Sequence, residues 1–294
     1  MTDPQNGRVV TRFGSQMLVR DEAGEIHRCT ARRRLEHAVC NDHVHWHRDP
    51  QGHGVVTRIL PRHNLLERMD PRSRKRKRVA ANLDQVAVVV APEPEPNWSL
   101  VDRCLVAIEQ LPARGVIVLN KRDLLQDGLP PEPLREYRDL GYAVLAMSTQ
   151  DGTGLEALRE TLSRGTGILL GQSGVGKSSL VKALLPDLEI RIGALSAMGG
   201  EGGRHTTTNA TLYRLDTGGD LIDSPGVRDF TPPPASPREV LQGFVELREL
   251  AAGCRFHDCS HTVEPGCAVR AALESGRVSP RRFASYRALV EETG

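Results

Sequence analysis

The chain has 294 residues, 39 Lys and Arg against 37 Asp and Glu, with 39% hydrophobic and 26% charged residues. That length allows two or three domains, and no apolar run approaches the ~18 residues of a membrane-spanning helix. The first residues, Met1 to Asn6, lack the basic start and apolar stretch of a secretory signal, so a cytoplasmic protein with no membrane partner is expected. The charge is unevenly placed. Residues 1–78 carry 17 basic and 9 acidic side chains, a local +8, whereas residues 79–294 carry 22 and 28, a local −6. A basic N-terminal third on an otherwise acidic chain points to a polyanion touched at one end. Aromatic content of only 4% argues against a large base-stacking platform.

Residues 7–69 read as short strands: 7–11, 17–19, 25–29 and 54–60 alternate or carry β-branched residues, with turn signals at Asp21–Gly24 and Asp49–Gly52. Five or so strands in about 60 residues suit a small barrel of the OB type, placed at residues 1–70. A small barrel used for protein contact is the other reading. His43, His45 and His47 would share one strand face, more in keeping with an RNA-facing barrel than with a metal site. Arg72 to Arg78 places six positive charges in seven residues, read as a basic linker over 71–82 that can reach phosphates.

From residue 83 the pattern becomes alternating strand and helix, the mark of an α/β sheet with helices on both faces, expected over 83–230. Val86–Val90 is a continuous apolar run, typical of a strand buried on both sides. Ser99 is positioned to cap a helix through Leu111. Further strands are expected at 115–119, 142–146, 168–170, 212–215 and 220–223, with helices at 133–140, after Thr153, and from Lys177 to Leu185. Thr231-Pro232-Pro233-Pro234 breaks the pattern and opens a mostly helical tail, 231–294, with the Cys/His cluster between helices.

Gly171-Gln172-Ser173-Gly174-Val175-Gly176-Lys177-Ser178 satisfies G-x-x-x-x-G-K-[ST] between an expected strand and an expected helix, the context that defines a phosphate-binding loop. Backbone N–H groups of the loop and of the helix start, including Ser179, would face the phosphates. Lys177 would reach the β- and γ-phosphates as a catalytic charge, and Ser178 would ligate Mg²⁺. Asn120-Lys121-Arg122-Asp123 resembles the N-K-x-D signature of GTPases. The Asp123 carboxylate can accept from N1–H and the exocyclic amine of guanine, a donor pair that adenine lacks. Only five of the 39 basic residues are Lys, and two of them, Lys121 and Lys177, stand at motif positions where Arg would substitute poorly.

Asp223-Ser224-Pro225-Gly226 resembles D-x-x-G, with Asp223 holding Mg²⁺ through water and the Gly226 N–H sensing the γ-phosphate. The Gly-rich stretch 199–208 lies where a first switch belongs, and Thr207 is the expected Mg²⁺ ligand within it. Ser148-Thr149, after the strand at 142–146, is placed to meet the guanine O6 with a backbone N–H. Val227 stands where Ras-type enzymes place the Gln that orients water, so slow intrinsic hydrolysis is expected. His205 is the candidate within the chain for that role. In chain order N-K-R-D and Ser148 come before the phosphate loop, which is a circular permutation of the usual GTPase order. Cys254, Cys259, His261 and Cys267 supply three thiolates and one imidazole within 14 residues, a closed tetrahedral set for one structural Zn²⁺. His257 is a nearby spare.

Taken together, N-K-x-D, G-Q-S-G-V-G-K-S, G-R-H-T-T-T, D-S-P-G-V and C-x₄-C-x-H-x₅-C, in that order, resemble the RsgA (YjeQ/YloQ) family of ribosome-small-subunit-dependent GTPases. Residues 60–68 are also similar to the end of that family's OB domain. The resemblance implies an OB barrel, a permuted GTPase domain and a zinc domain. It further implies a GTP hydrolase that binds GTP and GDP with Mg²⁺ and acts in late maturation of the 30S subunit and its 16S rRNA, with stimulation by that particle; a monomer is expected. Two departures stand out: Thr231-Pro-Pro-Pro replaces the Gly-Leu-Trp-His that often continues the family's D-S-P-G-V segment, and Thr149 replaces the more usual alanine. A phosphate-loop ATPase or kinase is the first rival, opposed by Asp123 and the motif order. An RNA-binding adaptor using GTP only as a conformational switch is the second.

Overall fold

The computed structural model describes residues 4–31, 35, 37–70, 73–125, 130–199, 209–224 and 230–292. Strands β1 (Gln5–Phe13), β2 (Gln16–Asp21), β3 (Ile26–Ala31), β4 (His43–Arg48) and β5 (Gly54–Ile59) close a five-stranded barrel in the order β1-β2-β3-β5-β4. Alternation turns Val9, Met17, Val19, Cys29, Val44, Trp46 and Val56 into its core. Trp46 is fully buried, and His27 stacks on it at 4.4 Å between ring centroids. The barrel read from the sequence is therefore present. It does not stand alone: a bulge between Val9 and Thr11 lets β1 bury residues on both faces, and Val10, Phe13 and Leu18 join the core of the following domain.

Within the stretch expected as a linker, residues 76–81 form a strand. β6 (Leu65–Met69) pairs antiparallel with β7 (Arg76–Ala81). Asp70 organises the connection: its carboxylate accepts from the Ser73 N–H at 2.7 Å and pairs with Lys77. These partners, with the Ser73 hydroxyl, hold the Asp70 carboxyl well below the usual range. The basic run then projects from a hairpin, with Arg74 to Arg78 exposed and Val79 to Ala81 buried.

The central domain is a six-stranded sheet in the order β10-β9-β8-β11-β13-β12, made from β8 (Gln85–Val90), β9 (Arg114–Leu119), β10 (Ala143–Ala146), β11 (Thr166–Leu170), β12 (Thr211–Arg214) and β13 (Asp220–Asp223). The first five in that order run parallel, and edge strand β12 is antiparallel to β13. Every residue of β8 and β11 is buried, as their apolar sequences require of central strands. Helices α1 (Trp98–Glu109), α2 (Glu132–Asp139), α3 (Leu155–Leu162), α4 (Lys177–Leu184) and α5 (Leu188–Gly199) connect them. Asn97, not Ser99, caps α1, its side chain accepting from the Leu100 N–H. Helix α5 has no counterpart in the sequence reading. Its apolar residues lie all around the axis, with Leu195 buried and Ile190 exposed, so it shows no apolar stripe.

Helices α6 (Pro237–Gly243), α7 (Val245–Ala251), α8 (Ala268–Glu274) and α9 (Pro280–Glu291) form the tail. Ser236 and Glu239 build a capping box that starts α6 after the prolines. Close helix packing fastens this unit to α1: a Cβ on Gly243 would come within 2.6 Å of the Val106 backbone. A charged joint locks it. Asp102, fully buried on α1, accepts from Arg282 at 2.7 Å and Arg281 at 2.9 Å, and Arg282 also binds Glu246. Arg282→Met should leave Asp102 and Glu246 short of a buried partner and cost roughly 3–5 kcal/mol. In chemical denaturation this should appear as an earlier transition of the tail, while Arg287→Met, on the exposed side of α9, should leave that transition in place.

Candidate nucleotide site and metal cluster

Strand order decides where a ligand sits. From β8 the chain crosses to β9 on one side, whereas β11 lies on the other, so the sheet's switch point is at the carboxyl ends of β8 and β11. Crevices of this kind receive nucleotides in open α/β sheets. The phosphate loop leaves β11 at this edge, residues 120–123 leave the neighbouring end of β9, and Ser148 follows β10.

Two glycines of the loop are required by its surroundings. Gly171 has φ +136°, and a Cβ there would lie 2.2 Å from the Val89 carbonyl oxygen. Gly176, at φ +91°, opens α4 in the left-handed region, and its Cβ would lie 2.3 Å from Asn120 Nδ2. The Lys177 amine donates to the Gly171 and Gln172 carbonyls at 2.6 Å each, so it curls over the mouth of the loop. Ser178 and Ser179 follow in the first turn of α4, both exposed at the helix start. Ser173 and Gly174 are exposed at the tip, and Val175 is buried beneath them.

Asn120 ties the two motifs together. It is fully buried, and its amide donates to the Val175 carbonyl at 2.9 Å, while its Oδ1 has no hydrogen-bond partner among the described residues. Lys121 takes a left-handed backbone at φ +56° and donates to the Glu93 carbonyl at 2.7 Å. A 3-10 turn over Arg122–Leu124 then presents Arg122 and Asp123 to solvent, and the Arg122 N–H bonds the Met147 carbonyl at 3.0 Å, joining this loop to the one after β10. The sequence reading missed the β8–α1 loop. Gln172 accepts from the Asn97 N–H at 2.9 Å and donates to the Glu95 carbonyl at 3.0 Å, so this loop backs the phosphate loop.

Ser148 turns the loop after β10: its backbone N–H donates to the Thr153 carbonyl at 2.9 Å, and its hydroxyl accepts from the Gln150 N–H at 3.1 Å. Asp223 ends β13, which pairs with β11 and so brings it beside the phosphate loop. Thr207, His205 and Gly226 lie outside the described residues.

The metal cluster is separate from this site. The ligand atoms of Cys254, Cys259, His261 and Cys267 all lie within 4.8 Å of one another. His261 is buried, with Nδ1 at 3.4 Å from the Cys267 sulfur and 3.6 Å from that of Cys254. Its Nε2 is buried without a partner. Cys267 also caps α8, its sulfur accepting from the Arg270 N–H. Glu264 holds the intervening loop by accepting from Ser260 and Thr262, contacts that keep its carboxyl well below the usual range. Desolvation and the neighbouring thiols push the Cys259 thiol up to about 12. His257 is exposed and outside the cluster. Among the described residues no other such group of ligands occurs, and His43, His45 and His47 are not gathered into one.

The profile of the family described as RsgA GTPase matches residues 59–232, more than half of the chain. The chain belongs to the RsgA GTPase family. Its GTPase activity and permuted domain follow from that membership. Among relatives, the "Small ribosomal subunit biogenesis GTPase RsgA" of Chromohalobacter salexigens is 48% identical over 296 residues, covering 97% of this chain and 85% of that protein. The protein of the same description from Pseudomonas aeruginosa is 44% identical over 289 residues, with the same coverage. Two solved structures share the fold. YjeQ from Thermotoga maritima superposes with a TM-score of 0.75 at 31% identity, covering 99% of each chain. YloQ, described as a circularly permuted GTPase, gives 0.76 at 26% identity, covering 99% of this chain and 96% of that one. The RsgA fold thus accounts for the barrel, the permuted sheet and the Cys-rich tail. Among the described residues no helix is long and apolar enough to cross a membrane.

Proposed function

We propose that this RsgA-family GTPase acts in the cytoplasm, as a monomer, in late maturation of the 30S ribosomal subunit, hydrolysing GTP slowly alone and rapidly on that particle. The observation that carries the reading is a basic cleft. Arg12 and His37 from the barrel side, Arg76 and Arg78 from β7 on either side of a single Glu67, and Asn209 line a space of about 790 Å³. Asn209 directly follows residues 200–208, so 16S rRNA phosphates seated among these arginines would meet the exit of that segment. The names of the relatives supply the particle.

In this reading Asn120, Lys121, Arg122, Asp123 and the loop after β10 hold the base, and residues 171–179 with Gly226 hold the phosphates. Lys177 neutralises charge on the transferred phosphoryl group. Ser178, Thr207 and Asp223 would hold Mg²⁺, which neutralises charge on the β- and γ-phosphates. His205 positions water once rRNA orders its surroundings. The Cys₃His set suits one structural Zn²⁺: four donors, one of them an imidazole with a desolvated ring, close a tetrahedron with no open position.

Single-turnover GTP hydrolysis with and without 30S subunits tests the proposal. Stimulation of roughly 10²-fold or more is expected, by analogy with partner-completed GTPases, and it should fall steeply with added salt because phosphate contacts release counterions. His205→Ala should lose most of the stimulation and keep GTP binding. Fast hydrolysis by the isolated protein, unaffected by 30S subunits, would show that the particle does not complete the site. Tight binding to 30S with no hydrolysis at all would favour the adaptor reading.

A further inference from the structure

The barrel is bonded to one particular piece of the GTPase domain, the β12–β13 hairpin at the edge of the sheet. Its register sets Thr211 opposite Asp223 and Arg214 opposite Asp220. One end of the hairpin therefore carries Thr211, just after residues 200–208, and Asp223, which opens D-S-P-G. The other end carries Asp220. Barrel residues grip both ends. Thr11 Oγ1, on β1, lies 3.3 Å from Thr211 Oγ1, and both residues are buried. At the other end each oxygen of the Asp220 carboxylate accepts from one barrel guanidinium at 2.7 Å, Arg8 on Oδ2 and Arg20 on Oδ1.

These contacts are built to be stiff. The Asp220 side chain is 3% exposed and Arg20 15%, so that ion pair is shielded from water and salt, while Arg8 is 27% exposed. Arg8 also donates to Thr166 on β11 at 2.8 Å and to Asn41 at 2.9 Å. Asn41 is itself buried, its amide bonded to the carbonyls of Ala81 and Asn82. Among the described residues edge strand β12 pairs within the sheet only with β13, and the barrel packs against it through β1. Along a strand, Asp220 and Asp223 are about 10 Å apart, with no soft joint between them.

We infer that Thr11, Arg8 and Arg20 are positioning residues for hydrolysis: the barrel holds the hairpin so that Asp223 is presented correctly to Mg²⁺. The inference rests on the proposed role of Asp223. It differs from simple docking of two domains, because docking predicts effects on stability while a brace on Asp223 predicts effects on the metal requirement of the reaction.

Single-turnover GTP hydrolysis by the full chain, measured across Mg²⁺ concentrations, is the test, with GDP affinity in the absence of Mg²⁺ measured beside it. Thr11→Val and Arg20→Gln should each raise the Mg²⁺ needed for half-maximal rate by roughly threefold to tenfold, the range expected of coupling through packed networks. GDP affinity without Mg²⁺ should not change. Thr11→Ser, which keeps the hydroxyl, should restore the wild-type requirement. Thr11→Val retains side-chain volume, and Thr211 keeps a second acceptor in the Asn209 carbonyl, so this variant decides the matter if Arg20→Gln does not fold. Asp223→Ala serves as reference. If it raises the Mg²⁺ requirement beyond tenfold or abolishes hydrolysis while both barrel variants retain the wild-type requirement, the brace is refuted. If Asp223→Ala keeps the wild-type Mg²⁺ requirement, the role of Asp223 falls and the inference with it.

Discussion

Asp123→Asn should convert the protein from a guanine-nucleotide binder into one that prefers xanthine nucleotide. Guanine offers two adjacent donors, N1–H and the exocyclic amine, and a carboxylate accepts both. Asparagine keeps one acceptor but presents an N–H₂ where guanine also donates, whereas xanthine places a carbonyl oxygen there. Sites that read a polar edge reject a mismatched one by roughly 10⁴-fold, since a donor or acceptor is otherwise left unpaired. The local structure supports a change confined to the base. Asp123 lies on the short turn Arg122–Leu124 with its side chain in solvent, and the residues that shape the turn use backbone groups, Arg122 to Met147 and Leu124 to Lys121. The phosphate loop, held by Gly171, Gly176 and the Asn120–Val175 bond, is untouched. Competition of GTP, XTP and ATP for the variant measures the effect. Retention of wild-type GTP selectivity would remove Asp123 from the base pocket.

The second large effect concerns the tail. Protein purified without chelator should contain one Zn²⁺ per chain, and Cys267→Ala should lose it. Metal binding supplies roughly 10–16 kcal/mol to small zinc folds, far more than their apolar contacts provide. Here Cys267 is buried in the same cluster as Val269, Phe244 and Tyr286, and its sulfur also starts α8, so its loss removes a ligand and a helix cap together. Residues 252–267, between α7 and α8, should become protease-sensitive, and binding to 30S subunits should weaken. GTP affinity should survive, because the phosphate loop and the base-reading loop make their bonds within the sheet domain. Metal analysis and limited proteolysis read the two halves of this outcome. A metal-free protein with a protected tail would show that the four ligands serve only packing.

Local patterns carried much of this molecule. The phosphate loop was legible because its geometry needs Gly at fixed places: nothing larger fits between Gly171 and Val89, or between Gly176 and Asn120. The metal set was legible because four ligands must come close together, and a short loop does that most simply. Buried strands such as β8 and β11 announced themselves as unbroken apolar runs. Where the signal was weak, the physical reason is visible. The basic run concealed β7, whose exposed half is Arg and Lys and whose buried half is only Val79, Ala80 and Ala81. Helix α5 lacks a stripe because its apolar residues are split between the buried Leu188 and Leu195 and the exposed Ile190 and Met198.

The sequence by itself determined the motifs of this protein: the G-x-x-x-x-G-K-S loop, N-K-R-D with Asp123, the Cys/His cluster and the permuted order in which they occur. These depend on residue type and short spacing, which the chain displays directly. Only the tertiary structure decided how the parts hold one another. Asp102 with Arg281 and Arg282 spans about 180 residues, Asp220 with Arg20 and Arg8 spans 200 and 212, and Gln172 reaches back to Asn97. Each pairs common charged or polar residues with no spacing rule between them. Such pairings arise from how sheet, barrel and tail pack together, and nothing in the local chain records it.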